Sequence, residues 1–238
     1  IIDESKEYLV TTRLHPVMKQ FSVASLPELV KKLRQRPMAA IHQAVIEAMT
    51  TNETSFFRDV HPFETLRLSV LPELVRARAA ERALTIWCGA SSSGQEVYSV
   101  AMILREHFPE LANWRLMLVA TDISREMVQR CREGRYSQLE VNRGLPAGLL
   151  VKYFDRTDMD WRIREEVRRM IDFREMNLAG AWTGLPTCDV VFLRNVLIYF
   201  DDATKRQILG KVHALLRPGS YLFLGGSETT LNLDTRFE

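Results

Sequence analysis

The sequence predicts an α/β protein: a parallel sheet covered by helices, preceded by a segment made only of helices. Short apolar runs at 84–87, 116–120, 190–193 and 221–224 alternate with helical patterns, the signature of strands joined by helical crossovers. The first run opens directly into Gly89-Ala90-Ser91-Ser92-Ser93-Gly94 and then a helix. No strand pattern occurs before residue 84. Length and composition agree. The 238 residues are 46% hydrophobic and 26% charged, which excludes a disordered tail or a disulfide-stapled miniprotein. Formal net charge is +2, too balanced for a dedicated nucleic-acid binder. The cysteines, Cys88, Cys131 and Cys188, are odd in number and widely spaced, so neither a disulfide framework nor a metal set is expected, and a reducing cytoplasm is the simplest home. No apolar run reaches membrane-span length and no signal peptide is visible. A chain beginning at Ile1 reads as a trimmed sequence.

Each element has a local reason. Ser25 and Glu28 form a capping box, with Pro27 in the tolerated first turn. Leu26, Leu29, Val30 and Leu33 then follow helical spacing; Lys31, Lys32, Arg34 and Arg36 give a basic side, and Pro37 stops the helix. Ile41, Val45 and Met49 mark another helix, broken by the cap-type residues at 50–54. A third runs from Pro62 to Arg78. After the first strand, Val97, Val100, Ala101 and Leu104 share one helix face. The second strand ends at Thr121-Asp122, and Ser124 caps a helix that stops at Gly134. The strand Val190–Leu193 ends at Arg194-Asn195, a helix follows near 203–216, and Pro218-Gly219 turns the chain into the last strand. Residues 135–175 break the rhythm and are expected to be an insertion of a short helix and small antiparallel strands.

Chemistry is expected where strands end, because ligands of such sheets lie at the carboxyl ends. Gly89 and Gly94 allow close approach of a ligand to the backbone, although a tight strand-to-helix turn would look the same, and the spacing is neither G-x-G-x-x-G nor a phosphate loop. Asp122 can accept hydrogen bonds from ribose hydroxyls, or serve only as a helix-start residue. Asn195 faces the same crevice, Arg194 reads as a surface charge and Tyr199 as core.

Five blocks together resemble a known family. Thr51-Asn52-Glu53-Thr54-Ser55-Phe56-Phe57-Arg58-Asp59, the block from Trp87 to Ser99, Ala120-Thr121-Asp122, the run Arg194 to Asp201 and the run Leu222 to Glu228 are similar, in order, to the chemotaxis receptor methyltransferases of the CheR family. The resemblance implies a small all-α N-terminal domain, 1–78, on a Rossmann-like S-adenosylmethionine-dependent methyltransferase domain, 79–238, with an inserted antiparallel β-subdomain at about 135–175. It implies methyl transfer to glutamate side chains of the chemoreceptor cytoplasmic helical bundle, leaving S-adenosylhomocysteine. Carried over by position, Asn52, Thr54 and Arg58 approach the methionine end of the cofactor, Glu96 makes another contact, and Asp122 holds the ribose. Asn177 and Leu178 lie on the adenine side, Asn195 and Val196 complete the pocket, and Arg58 and Tyr199 stand near the transferred methyl as catalytic residues. No metal is implied. A glutamate is already ionised at neutral pH, so no general base is needed.

Three further expectations follow. The basic helix is either a solvated face or a docking surface for an acidic receptor helix, or for a regulatory protein. Relatives that bind a receptor-tail peptide by strand addition share a glycine-containing extension in the insertion; the turn Asp155–Asp160 is short and lacks glycine, so tether-independence is expected. The family's last antiparallel strand pair would follow Glu228 and is not in the sequence to Glu238. The rival readings are a methyltransferase of a surface-sensing pathway and a cofactor-binding regulator without turnover. A monomer with no nucleic-acid partner and no membrane insertion is expected.

Overall fold

The computed structural model describes residues 7–35 and 40–237. The basic Arg36 and the helix stop at Pro37 lie outside the described residues. Helices α1 (Glu7–Gln20), α2 (Leu26–Gln35) and α3 (Ala40–Met49) pack around Leu14, Val17, Val23, Leu29 and Ile41. The expected cap of α2 forms, with one change. Glu28 N–H donates to Ser25 Oγ at 3.4 Å, but the Glu28 carboxylate takes the N–H of Ala24, at 3.0 Å.

The helix expected over 62–78 is α4 (His61–Thr65), a wide π turn at Leu66–Val70, and α5 (Leu71–Ala77). Pro72 accounts for the widening. It has no N–H to donate and its ring would press on the carbonyl one turn back, so the preceding turn opens and Leu71 N–H reaches Leu66 O.

From β1 (Ala83–Gly89) the chain passes through α6 (Gln95–His107) to β2 (Arg115–Asp122) and α7 (Arg125–Glu133). Ser124 caps α7 by accepting the N–H of Met127, and Gly134, at φ 61°, ends it. The insertion holds β3 (Arg135–Ser137), α8 (Gln138–Asn142), α9 (Ala147–Tyr153), β4 (Phe154–Thr157), β5 (Asp160–Ile163) and α10 (Glu165–Arg168). Its three strands form an antiparallel sheet in the order β3-β5-β4. Then come β6 (Ile171–Glu175), β7 (Cys188–Leu193), α11 (Asp202–Leu215) and β8 (Leu216–Leu224).

The main sheet is five-stranded, in the order β6-β2-β1-β7-β8, and every pairing in it is parallel. The expected end of the insertion at 175 is therefore corrected: Ile171 and Phe173 belong to β6, whose pairing with β2 runs from Leu118↔Ile171 to Asp122↔Glu175. An edge strand alternates buried and exposed residues much as a half-buried antiparallel strand does, so the pattern alone misassigns it. Pro218 and Gly219 lie inside β8, in a bulge that shifts its register against β7. At the amino end of the sheet, Asp189 is fully buried. Its carboxylate accepts from Arg78 Nε at 2.8 Å and from Thr85 N–H at 2.9 Å, and Arg217 joins at 3.3 Å. This ties α5, β1, β7 and β8 together at the end away from the site.

Candidate active site

The loops after β1, β2 and β7 meet at the carboxyl end of the sheet, and the segment after α3 lies across them. Close packing needs the glycines. A Cβ on Gly89 would stand 3.0 Å from Leu193 Cδ1, and one on Gly94, at φ 93°, only 2.9 Å from Cys131 Sγ. The loop is braced from three sides: Tyr136 hydroxyl donates to Ser93 O at 2.7 Å, Cys131 Sγ lies 3.0 Å from Ser92 O, and Ser92 hydroxyl donates to Asn52 O at 2.7 Å.

Asp122 sits at the tip of β2 and is 5% exposed. Its carboxylate accepts Ser92 N–H at 2.8 Å and Ser124 N–H at 2.9 Å. Burial raises its pKa above the ordinary value; those two N–H groups pull the other way, and Glu47 adds to the rise. Glu47 reaches over from α3. It accepts the Ser124 hydroxyl and, at 3.3 Å, Glu126 N–H, so the helical segment is pinned to the start of α7.

A cavity of about 320 Å³ opens between these elements, a volume at the low end of small-molecule sites. Every residue expected at the site lines it: Asn52, Thr54, Arg58, Glu96, Asp122, Asn177, Leu178, Asn195, Val196 and Tyr199. Gln95, next to Glu96, is instead buried away from it, with Oε1 accepting the Ser93 hydroxyl. Ala90, Ile123 and Met176 supply apolar wall. Tyr199 is not core; it is 45% exposed, at the mouth. Among the described residues no group of three or more His, Cys, Asp or Glu side chains could hold a metal.

Two residues escaped sequence reading. Arg194 is not a surface charge but is buried, bonded to Glu96 and to Asp59. Its position directly after the apolar run Val190–Leu193 was the available signal. Glu228 accepts N–H groups of Asn195 at 2.6 Å, Val196 at 2.8 Å, Leu197 at 2.7 Å and Gly225 at 2.7 Å. It thereby gathers the turn after β7, where Asn195 holds φ 58°. The local Gly225 contact does not by itself mark Glu228 for this, because its other three partners, Asn195, Val196 and Leu197, lie about thirty residues back.

Comparison with known proteins settles the class. The family described as CheR methyltransferase, SAM binding domain, matches residues 52–238. The chain belongs to the CheR methyltransferase family. It is 42% identical over 243 residues to chemotaxis protein methyltransferase 1 of Pseudomonas aeruginosa, covering 100% of this chain and 88% of that protein. It is 40% identical over 242 residues to chemotaxis protein methyltransferase Cher2 of Pseudomonas putida, with the same coverage. The cofactor of this CheR family member is S-adenosylmethionine. The lining is compatible with such a group, since it combines the carboxylates of Asp122 and Glu96 with the apolar wall of Ala90, Ile123 and Met176. Among the described residues no helix is long and apolar enough to cross a membrane.

Proposed function

We propose that this chain transfers the methyl group of S-adenosylmethionine to glutamate side chains on the helices of chemoreceptors, in the cytoplasm, forming glutamate methyl esters. One observation carries the reading: Arg58 and Tyr199 stand at the same cavity as Asp122, Glu96 and Asn177, so an acceptor side and a cofactor side share one opening. In that role Asp122 takes the ribose hydroxyls, Glu96 the amino group, Asn177 and Leu178 the adenine, with Asn52, Thr54, Asn195 and Val196 closing the pocket.

S-adenosylmethionine supplies an electrophilic methyl on a sulfonium. A glutamate oxygen forms the new C–O bond as the methyl–sulfur bond breaks, the electron pair stays on sulfur, and no proton moves. The protein's work is alignment and exclusion of water, and orientation alone can lower such a barrier by roughly 7–11 kcal/mol. Arg58 is the cation available to hold the incoming carboxylate; its Nη1 already donates to Glu53 O at 3.0 Å, which fixes the side chain. It must orient the nucleophile without neutralising it. Tyr199, at the mouth, packs beside the incoming helix.

The test is transfer of labelled methyl to receptor fragments. Arg58→Ala is expected to lower turnover about 10²- to 10³-fold with little change in melting temperature. Unchanged turnover would remove Arg58 from the mechanism. We also propose that no receptor-tail peptide is needed. Only Asp158 and Met159 separate β4 from β5, without the glycine extension, and Met159 is solvent-exposed. A short receptor-tail peptide is expected to give no saturable heat on titration; micromolar binding would sink tether-independence.

A further inference from the structure

We infer that Arg194 is a positioning residue of the methyl transfer: its buried guanidinium clamps the turn that carries Arg58 onto Glu96, so that acceptor-side and cofactor-side groups are set by one fork. The inference rests on the roles proposed above for Arg58 and Glu96.

The Arg194 side chain is 1% exposed. Nη1 donates to Glu96 Oε2 at 2.9 Å, and Nη2 to Asp59 Oδ2 at 2.6 Å and to Arg58 O at 3.1 Å. The guanidinium lies 5.7 Å from the centroid of the Phe63 ring. Its Nε–H is buried with no partner among the described residues. An apolar side chain here would strand the buried Glu96 carboxylate, so the charge at 194 is tied to the acids it holds. The arrangement is organised around the two outward nitrogens.

What they hold is strained. Phe57, Asp59 and Val60 have φ of 49°, 68° and 51°, and none is glycine. Val60 is β-branched, for which this region is a true outlier. Arg58 sits within that turn. The turn is held by Phe56 in the core, by Phe57 N–H on Ser99 Oγ at 3.0 Å, and by Arg194 on its far side. Lysine would keep the charge but lose the planar fork that reaches both acids at once.

The clamp also bears on Glu96. Burial pushes its pKa up to about 7, while Arg194 holds it down. The other charged and titratable groups facing it are Arg58 from the turn, Glu228 from the segment after β8 and Cys88 from β1. Ionised Glu96 is the form that receives an ammonium group. Affinity for S-adenosylhomocysteine is therefore expected to rise as pH rises through about 7 and then level off.

The experiment pairs calorimetric titration with S-adenosylhomocysteine between pH 5.5 and 8.5 with methyl-transfer kinetics, on wild type, Arg194→Lys and Asp59→Asn. For Arg194→Lys, kcat is expected to fall about 10²-fold, with the midpoint of the affinity profile moved to higher pH and the melting temperature near wild type. A folded Arg194→Lys variant with wild-type kcat and midpoint overturns the clamp. Asp59→Asn loosens only the exposed half; kcat is expected to fall about tenfold at unchanged cofactor KM, and an unchanged kcat overturns the inference even where Arg194→Lys does not fold. A wild-type protein that binds no S-adenosylhomocysteine at any pH defeats the cofactor-site assignment itself, and the clamp with it.

Discussion

Asp122→Ala is expected to weaken S-adenosylhomocysteine binding by about 10²- to 10³-fold, the larger of the losses open to single changes in the pocket wall. Hydrogen bonds to a charged acceptor contribute about 1.5–3 kcal/mol each, and every 1.4 kcal/mol or so is a factor of ten. Two ribose hydroxyls on one carboxylate reach that range. The same variant loses stability for a separate reason. Ser92 N–H and Ser124 N–H donate to Asp122 and are buried, so truncation strands both. At about 1–3 kcal/mol per stranded donor, and about 2–4 °C per kcal/mol for a chain of this size, melting should fall by roughly 4–24 °C. Asp122→Asn, which keeps one acceptor oxygen, should recover part of the melting temperature and less of the affinity. Calorimetry and thermal melting on the same samples measure both. Wild-type affinity in a folded Asp122→Ala protein would refute the ribose role.

The second large effect is at Glu228. Its carboxylate takes four N–H groups within 2.8 Å, three of them in the turn 195–197 that carries pocket residues. Gly225 makes this approach possible, since a Cβ there would lie 2.7 Å from Glu228 Oε2 and 2.7 Å from Asn195 Nδ2. Glu228→Ala should cost about 3–5 kcal/mol in urea unfolding and remove most methyl transfer, because Asn195, Val196 and Tyr199 lose their common anchor. Glu228→Gln is the sharper test. The amide places an NH₂ where two N–H donors already point, so it should behave nearer to alanine than to glutamate. A Gln variant with wild-type unfolding would show that charge at 228 is irrelevant.

Much of this was legible in the sequence because its causes are local. Ser124 and Gly134 bracket a helix by cap chemistry within one turn of the chain, and α7 begins and ends with them. The Gly89–Gly94 loop announces close packing, and the strand tips Asp122 and Asn195 follow from alternation of strand and helix. What was missed depends on distance. The order β6-β2-β1-β7-β8 places the first strand in the middle, which no spacing along the chain reveals. Ile171 and Phe173 alternate as any half-covered strand does, so which sheet takes them is decided by the partner, Leu118 to Asp122. Arg194 looked like solvent-facing charge because its two acids, Asp59 and Glu96, stand 135 and 98 residues away.

The inserted three-stranded sheet has a consequence for modularity. It reads as an appendage, yet Tyr136 from β3 and Phe154 from β4 lie in the main core, with Phe56 edge-on to both at 5.0 and 5.7 Å between centroids. Tyr136 also holds Ser93 O, and Ile163 of β5 fills the space beside Gly134. Residues 135–170 are therefore not a detachable cassette. A graft that exchanged them for the corresponding piece of another protein would transplant one wall of the glycine loop and the packing under Phe56, and the recipient would inherit the donor's cofactor affinity along with its receptor preference unless Tyr136 and Phe154 travelled unchanged.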